Sequence, residues 1–117
     1  MITLKETKQQ IEREPQHWCV HLMDFVDDFR YYKDLRALSE PFSPGERRTD
    51  ALLASTAEAL CDELGLAPPP WLAEIPECEQ PYFVGDLENL KAISIVESPL
   101  RFRIRKIFVL ENFLSRV

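Results

Sequence analysis

The chain is poor in glycine and has no long apolar run. Only 3 of its 117 residues are glycine, whereas 9 are proline, a balance that favours helices interrupted by prolines over a β-sandwich with many glycine turns. No apolar stretch approaches the roughly 20 residues that a membrane-spanning helix needs, and the first residues lack the basic-then-apolar plan of a signal peptide. These absences predict a cytoplasmic, mainly helical protein with no membrane partner.

Cysteine is also scarce, and its spacing excludes two kinds of small domain. The three cysteines, Cys19, Cys61 and Cys78, include no C-x-x-C pair, so neither a disulfide framework nor a zinc knuckle is expected. The sequence also lacks a P-loop, a G-x-G-x-x-G motif and a G-x-S-x-G motif, which are common signatures of phosphate binding and hydrolysis. We therefore predict that the protein is not an enzyme and holds no cofactor.

The charge of the chain is unevenly distributed. The formal net charge is -6. Residues 1–40 carry six basic and eight acidic side chains, residues 41–80 carry two and eight, and residues 81–117 carry six and four. Such asymmetry indicates a protein partner, or a homo-oligomer with complementary patches. The acidic middle opposes general nucleic-acid binding, which would be confined to the basic segment in the last third.

The pattern of apolar residues predicts one mainly α-helical domain, residues 1–117. An apolar content of 45% is enough for one ordinary core. We expect an irregular bundle of four to five helices with a proline-rich connection and a short extended C-terminal segment. The first three helices are expected from Leu4 to about Glu14, from about Gln16 to Leu38, and from Ser43-Pro44-Gly45-Glu46 to Leu64.

Capping signals place several of these boundaries. Thr3 and Glu6 have the spacing of a capping box, and the polar helix that they begin is expected to be loosely attached over residues 1–15. Gly65 is expected to end the third helix in the left-handed conformation. An N-cap serine, an N1 proline and an N3 glutamate are in register to begin that helix: Ser43, Pro44 and Glu46.

Prolines organise the second half of the chain. Ala67-Pro68-Pro69-Pro70 predicts a short polyproline II connection that delivers Trp71 onto the body. Tyr82-Phe83-Val84 is expected to be extended, and a fourth helix is expected from about Asp86 to Glu97. From Arg101 onward the periodicity fits both a strand and a helix. We favour three short pieces there: a helix to about Lys106, an extended piece at Ile107–Leu110 and a helical turn at Glu111–Ser115.

Two histidines and two aspartates form the candidate metal-ligating row. His17, His21, Asp24 and Asp28 are spaced i, i+4, i+7 and i+11, so one face of the second helix would present ligands on successive turns. The alternative is that the row is the polar edge of an amphipathic helix whose apolar stripe includes Trp18. This row carries one functional hypothesis, a metal-binding or small-ligand-binding helical domain.

The segment Arg101-Phe102-Arg103-Ile104-Arg105-Lys106 gathers four basic residues into six positions of an acidic protein. Arginine and aromatic side chains are typical of protein-binding hot spots, and a basic cluster beside aromatic rings is also used to bind nucleic acid. The alternative is that these arginines form ion pairs within the fold, with Asp27, Asp28 or Glu63. The candidate partner-binding residues are Trp71, Arg101, Phe102, Arg103, Arg105 and Phe108.

An ordered set of short motifs resembles a family of small uncharacterised bacterial helical proteins. The motifs are Asp27-Asp28-Phe29-Arg30-Tyr31, Gly65-Leu66 followed by Pro68-Pro69-Pro70-Trp71, Glu97-Ser98-Pro99-Leu100-Arg101-Phe102-Arg103, and Ile107-Phe108-Val109. Some members of that family are antitoxin-like components of toxin-antitoxin pairs. The resemblance implies a non-catalytic, protein-binding antitoxin that binds and neutralises a cognate toxin.

Overall fold

The computed structural model describes residues 1–84, 97–110 and 113–114, and these residues form a mainly helical fold. The mainly α prediction is therefore confirmed. The helices are α1 (Leu4–Arg13), α2 (Trp18–Tyr32), α3 (Arg47–Leu64), α4 (Pro70–Ala73) and α5 (Leu100–Arg103), with 3-10 turns at Pro15–His17 and Leu35–Leu38. Two short strands, β1 (Tyr82–Phe83) and β2 (Ile107–Phe108), complete the described elements.

The first helix, α1, begins and ends where the capping signals predict. The Thr3 hydroxyl oxygen accepts the backbone N–H of Glu6 at 3.1 Å, and the helix ends before Pro15 because proline cannot continue it. The helix is not loosely attached, contrary to the expectation for residues 1–15. It packs against α2 and α3 and buries Leu4 and Ile11, so the polar first helix is part of the core.

The second helix, α2, is shorter than predicted. It ends at Tyr32 because Lys33 adopts the left-handed conformation, with φ 53°. The Asp34 carboxylate then accepts the backbone N–H of Arg36 at 2.9 Å and caps a separate 3-10 turn. A short aspartate side chain offers the backbone this local alternative to helix, so a continuous helix to Leu38 was a wrong prediction.

The third helix, α3, lies at the centre of the fold. It contacts α1, α2, α4 and α5, and a helix that is enclosed on several sides must be apolar or internally paired around most of its circumference. Its buried residues are Asp50, Ala51, Leu52, Leu53, Ala54, Ser55, Thr56, Ala57, Glu58, Leu60 and Cys61. Two of these, Asp50 and Glu58, are acidic, so α3 needs basic side chains from other elements.

The predicted start of α3 is wrong, whereas its predicted end is confirmed. The helix begins at Arg47, not at Pro44, because the Glu46 carboxylate caps it by accepting the N–H of Arg48 at 3.2 Å. The C-terminal cap is confirmed. Gly65 has φ 70°, and the next residue, Leu66, donates its N–H to the carbonyl of Cys61 at 2.8 Å, as in a left-handed helix ending.

The proline-rich connection leads into α4, and the chain then returns to form a two-stranded parallel sheet. Pro69 has φ -59° and ψ 140°, which is polyproline II geometry. The sheet pairs Tyr82 with Ile107 and Phe83 with Phe108. The predicted extended pieces at 82–84 and 107–110 thus correspond to β1 and β2, and each is two residues long.

The segment that carries α5 is closed at both ends by hydrogen bonds. The Ser98 hydroxyl donates to the carbonyl of Val109 at 2.9 Å and accepts the N–H of Val109 at 2.8 Å. The helix ends at Arg103, earlier than predicted, and the turn finishes at Lys106, whose φ is 61°. Residues 86–96 of the predicted helix at 86–97 lie outside the described ranges, and so does most of the predicted turn at 111–115.

Candidate protein interface

Arg105, one of the predicted partner-binding residues, is buried inside the fold. Its guanidinium forms an ion pair with the Glu58 carboxylate of α3. It also donates to the carbonyl oxygens of Leu72 at 2.7 Å and Ile75 at 3.2 Å, and to the Ser55 hydroxyl at 3.3 Å. Arg105 therefore joins α3, α4 and the C-terminal segment, and its prediction as a surface contact was wrong.

The aromatic residues in the predicted interface also point inward. The Trp71 indole N–H donates to the carbonyl of Leu38 at 2.8 Å, and its ring packs edge-to-face against Phe42 with centroids 5.4 Å apart. Phe102 is fully buried. Phe108 is half-buried and stacks on Phe83 at 5.1 Å. Full burial makes the prediction of Phe102 as a surface contact wrong, whereas Trp71 and Phe108 are partly exposed and use part of their rings for internal packing.

Arg101 is partly exposed but is held by α3. Its guanidinium donates to both carboxylate oxygens of Asp62, at 2.8 and 3.1 Å, and a third contact reaches Glu58 at 3.5 Å. The hydrogen bonds to Asp62 raise the pKa of Arg101, which favours the charged form of the guanidinium. The internal alternative thus describes Arg101 and Arg105, but their partners are Glu58 and Asp62. Glu63 pairs instead with Arg30 of α2.

Two side chains of the basic segment, Arg103 and Ile104, remain on the surface and share one face with Leu100, the residue before the segment. Leu100 is 64% exposed and Ile104 is 53% exposed. The N–H of Ile104 donates to the carbonyl of Leu100 at 3.0 Å, so residues 100, 103 and 104 lie on the same side of a helical turn. Arg103 is exposed, and within the described ranges its side chain forms no hydrogen bond or ion pair. We call Leu100, Arg103 and Ile104 the α5 face.

Sequence reasoning identified one of these three residues, Arg103. In the sequence pattern Leu100 and Ile104 share a helical face with Ile107. The pattern therefore gave no reason to expect that two of these residues are exposed and the third is buried. The structure does separate them because the chain turns at Lys106, after which Ile107 is fully buried. Apolar periodicity alone does not show that the helix ends before residue 107, so it could not separate the exposed Leu100 and Ile104 from the buried Ile107.

The predicted metal-ligating row is not assembled. His17 precedes α2 in a 3-10 turn and is exposed. The His21 Nε2 atom lies 3.1 Å from the Glu14 carboxylate, and the Asp28 carboxylate accepts the backbone N–H of Ile2 at 2.7 Å. Among the described residues, which include all four members of the row, no three His, Cys, Asp or Glu side chains are grouped to hold a metal. Asp24 therefore belongs to no such group.

The three cysteine thiols are expected to differ in reactivity. Cys61 and Cys78 are buried and Cys19 is exposed. Burial, followed by the charges of Asp62 and Glu58, raises the pKa of the Cys61 thiol to about 11, and burial also raises the pKa of Cys78. Since the thiolate is the reactive form, titration with a thiol reagent at pH 8 should modify one cysteine in the folded protein and three in urea. Rapid modification of two or more thiols without denaturant would contradict this burial pattern.

Comparison of the chain with protein-family models, with curated proteins and with solved structures gave no significant match. None of the helices in the described ranges is long and apolar enough to cross a membrane.

Proposed function

We propose that the protein is a non-catalytic protein-binding module whose contact surface is the α5 face. The observation that supports the proposal is the exposure of Leu100 and Ile104 on either side of Arg103. Apolar side chains beside an arginine are typical of the centres of protein interfaces.

The α5 face is held rigidly from behind. Phe102 and Arg105, which alternate with the exposed residues, are both buried, and Ser98 and Val109 close the ends of the segment. A surface that is already ordered loses little conformational entropy when a partner binds, so a small patch can contribute more affinity. The buried half of the segment thus supports the exposed half.

The resemblance to antitoxin-like proteins suggests the class of partner. We propose a cytoplasmic antitoxin that binds a cognate toxin and masks its active surface. The net charge of -6 would steer the chain toward a basic toxin at long range. At short range, Arg103 would pair with a carboxylate of the toxin, and Leu100 and Ile104 would fill an apolar depression beside it.

Co-purification tests the proposed function. The tagged protein would be expressed with the product of the adjacent gene from the native operon, and the complex would be analysed by mass spectrometry. A stoichiometric complex that relieves growth inhibition by the neighbouring protein is the expected result. Recovery of the tagged protein alone, or as a homo-oligomer, with a harmless neighbour would remove the antitoxin proposal.

Substitutions on the α5 face should separate binding from folding. Ile104→Asp and Arg103→Glu are each expected to weaken partner binding by about tenfold or more, since interface hot spots contribute about 2 kcal/mol or more. Circular dichroism and thermal stability should change little, because both side chains are exposed. Affinity would be measured by titration calorimetry with the purified partner.

A matched control is available in α2. Val20 is 55% exposed, which is close to the exposure of Ile104, and Val20→Asp introduces the same charge on another element. We expect Val20→Asp to bind the partner like the wild type. Equal loss of affinity in the Val20 and Ile104 variants, or no loss in either, would show that the α5 face is not the contact surface.

A further inference from the structure

A second candidate site lies away from the α5 face. A cavity of about 360 Å³ opens beside the N-terminal end of α3, at the lower end of the roughly 300–1,000 Å³ range of small-molecule sites. Its lining combines apolar and aromatic side chains with polar ones, two of which are charged. The lining residues are Ile11, Pro15, Trp18, Leu52 and Tyr82, together with the polar Glu46, Arg48 and Thr49.

The two charged side chains that line the cavity differ in how they are paired. The Glu46 carboxylate is held in place because it accepts the N–H of Arg48 at 3.2 Å and the Thr49 hydroxyl at 2.7 Å. The Arg48 guanidinium lies over the Tyr82 ring, 5.1 Å from its centroid. It forms no hydrogen bond or ion pair with the part of the chain that the structure describes. The cavity therefore presents a positioned cation with unused donors.

The preceding residue, Arg47, differs from Arg48 because its guanidinium donors are used within the fold. The Arg47 guanidinium donates to the carbonyl of Glu77 at 2.6 Å and to the Glu79 carboxylate at 3.2 Å. Its donors are thus used to attach the loop before β1 to α3. Arg47 and Arg48 are adjacent in sequence, but the first has a structural partner and the second faces the cavity.

We propose that this cavity binds a small organic carboxylate with a flat apolar body. The planar guanidinium of Arg48 can hold a carboxylate through two parallel hydrogen bonds. Trp18 and Tyr82 supply aromatic surface for the apolar part of the ligand. The fixed negative charge of Glu46 favours a monoanion over a dianion such as phosphate. The site shares no residue with the α5 face and does not depend on the proposed protein partner.

Indole-3-acetate, 3-phenylpropionate and hexanoate are suitable probes, and indole-3-acetamide is the uncharged control. Two-dimensional NMR of the labelled full-length protein should show saturable shifts of the Trp18 indole N–H with at least one acid. The Trp71 indole N–H is hydrogen-bonded to Leu38 elsewhere in the fold and should not shift. The amide should bind about tenfold more weakly than the acid, because it cannot form charge-assisted hydrogen bonds with Arg48.

Arg48→Gln is expected to weaken binding of the acid by about tenfold or more, and Arg47→Gln is expected to leave it within about twofold. The site is overturned if no acid gives a saturable shift. It is also overturned if the amide binds as tightly as the acid, if inorganic phosphate binds more tightly, or if Arg48→Gln binds like the wild type. The comparison of acid with amide uses the wild-type protein, so it stands even if a variant fails to fold.

Discussion

Replacing Arg105 with methionine should lower the free energy of unfolding by about 3 kcal/mol or more. The substitution leaves the buried Glu58 carboxylate without its ion-pair partner and leaves the carbonyls of Leu72 and Ile75 without donors. Arg101 contacts Glu58 at 3.5 Å and compensates weakly. Urea denaturation followed by circular dichroism would measure the loss, which corresponds to roughly 12 °C in Tm for a domain of this size.

Two further variants make the Arg105 result specific. Arg103→Met removes an exposed arginine two positions earlier and should change stability by about 0.5 kcal/mol or less. The double variant Arg105→Met with Glu58→Gln should recover part of the loss, because a neutral amide costs less to bury than an unpaired carboxylate. A single Arg105→Met variant as stable as the wild type would exclude the buried ion pair.

The second large effect is expected at Lys8 on α1. This lysine is 2% exposed, and its ammonium lies 2.5 Å from the Asp50 carboxylate of α3. The ammonium also donates to the carbonyl of Ser43 at 2.7 Å and lies 4.6 Å from the centre of the Phe42 ring. Lys8→Met leaves Asp50 buried without a counter-charge, so we expect a loss of about 3 kcal/mol in the free energy of unfolding.

Lys5 provides the matched control on the same helix. Its ion pair with Glu40 is largely exposed, so Lys5→Met should cost about 0.5 kcal/mol or less. The two sites should also respond differently to salt. Raising the ionic strength should reduce the small Lys5 effect by screening, while the Lys8 effect persists because its pair is shielded from solvent. Similar losses for both variants in urea denaturation would argue against a buried Lys8–Asp50 pair.

The parts of the fold that follow from local interactions were predictable from the sequence. The Thr3 cap depends on a neighbour three residues away, and the left-handed ending at Gly65 depends on a residue without a side chain. The end of α2 at Lys33 could not be predicted in the same way. Lysine has no intrinsic preference for the left-handed conformation that ends α2. The following 3-10 turn is capped by the Asp34 carboxylate, which accepts the backbone N–H of Arg36.

The candidate interface was harder to predict because its residues are sorted by distant contacts. Arg101, Arg103 and Arg105 look alike in the sequence, yet Glu58 and Asp62 of α3 draw two of them inward. The acidic partners lie 39 and 47 residues earlier in the chain, and periodicity carries no information about pairing over such a distance. The cavity at Arg48 was missed for the same reason, because α1, α2, α3 and β1 each contribute one wall.

The separation of Glu58 and Arg105 along the chain has a consequence for biosynthesis. The two residues are 47 positions apart. At about 5–20 residues per second, roughly 2–10 seconds of translation separate the carboxylate from the guanidinium that will neutralise it. During that interval burial of the Glu58 carboxylate would leave its charge unpaired, which disfavours closure of the core around α3. Final packing around α3 is therefore expected only after the C-terminal arginines have left the ribosome.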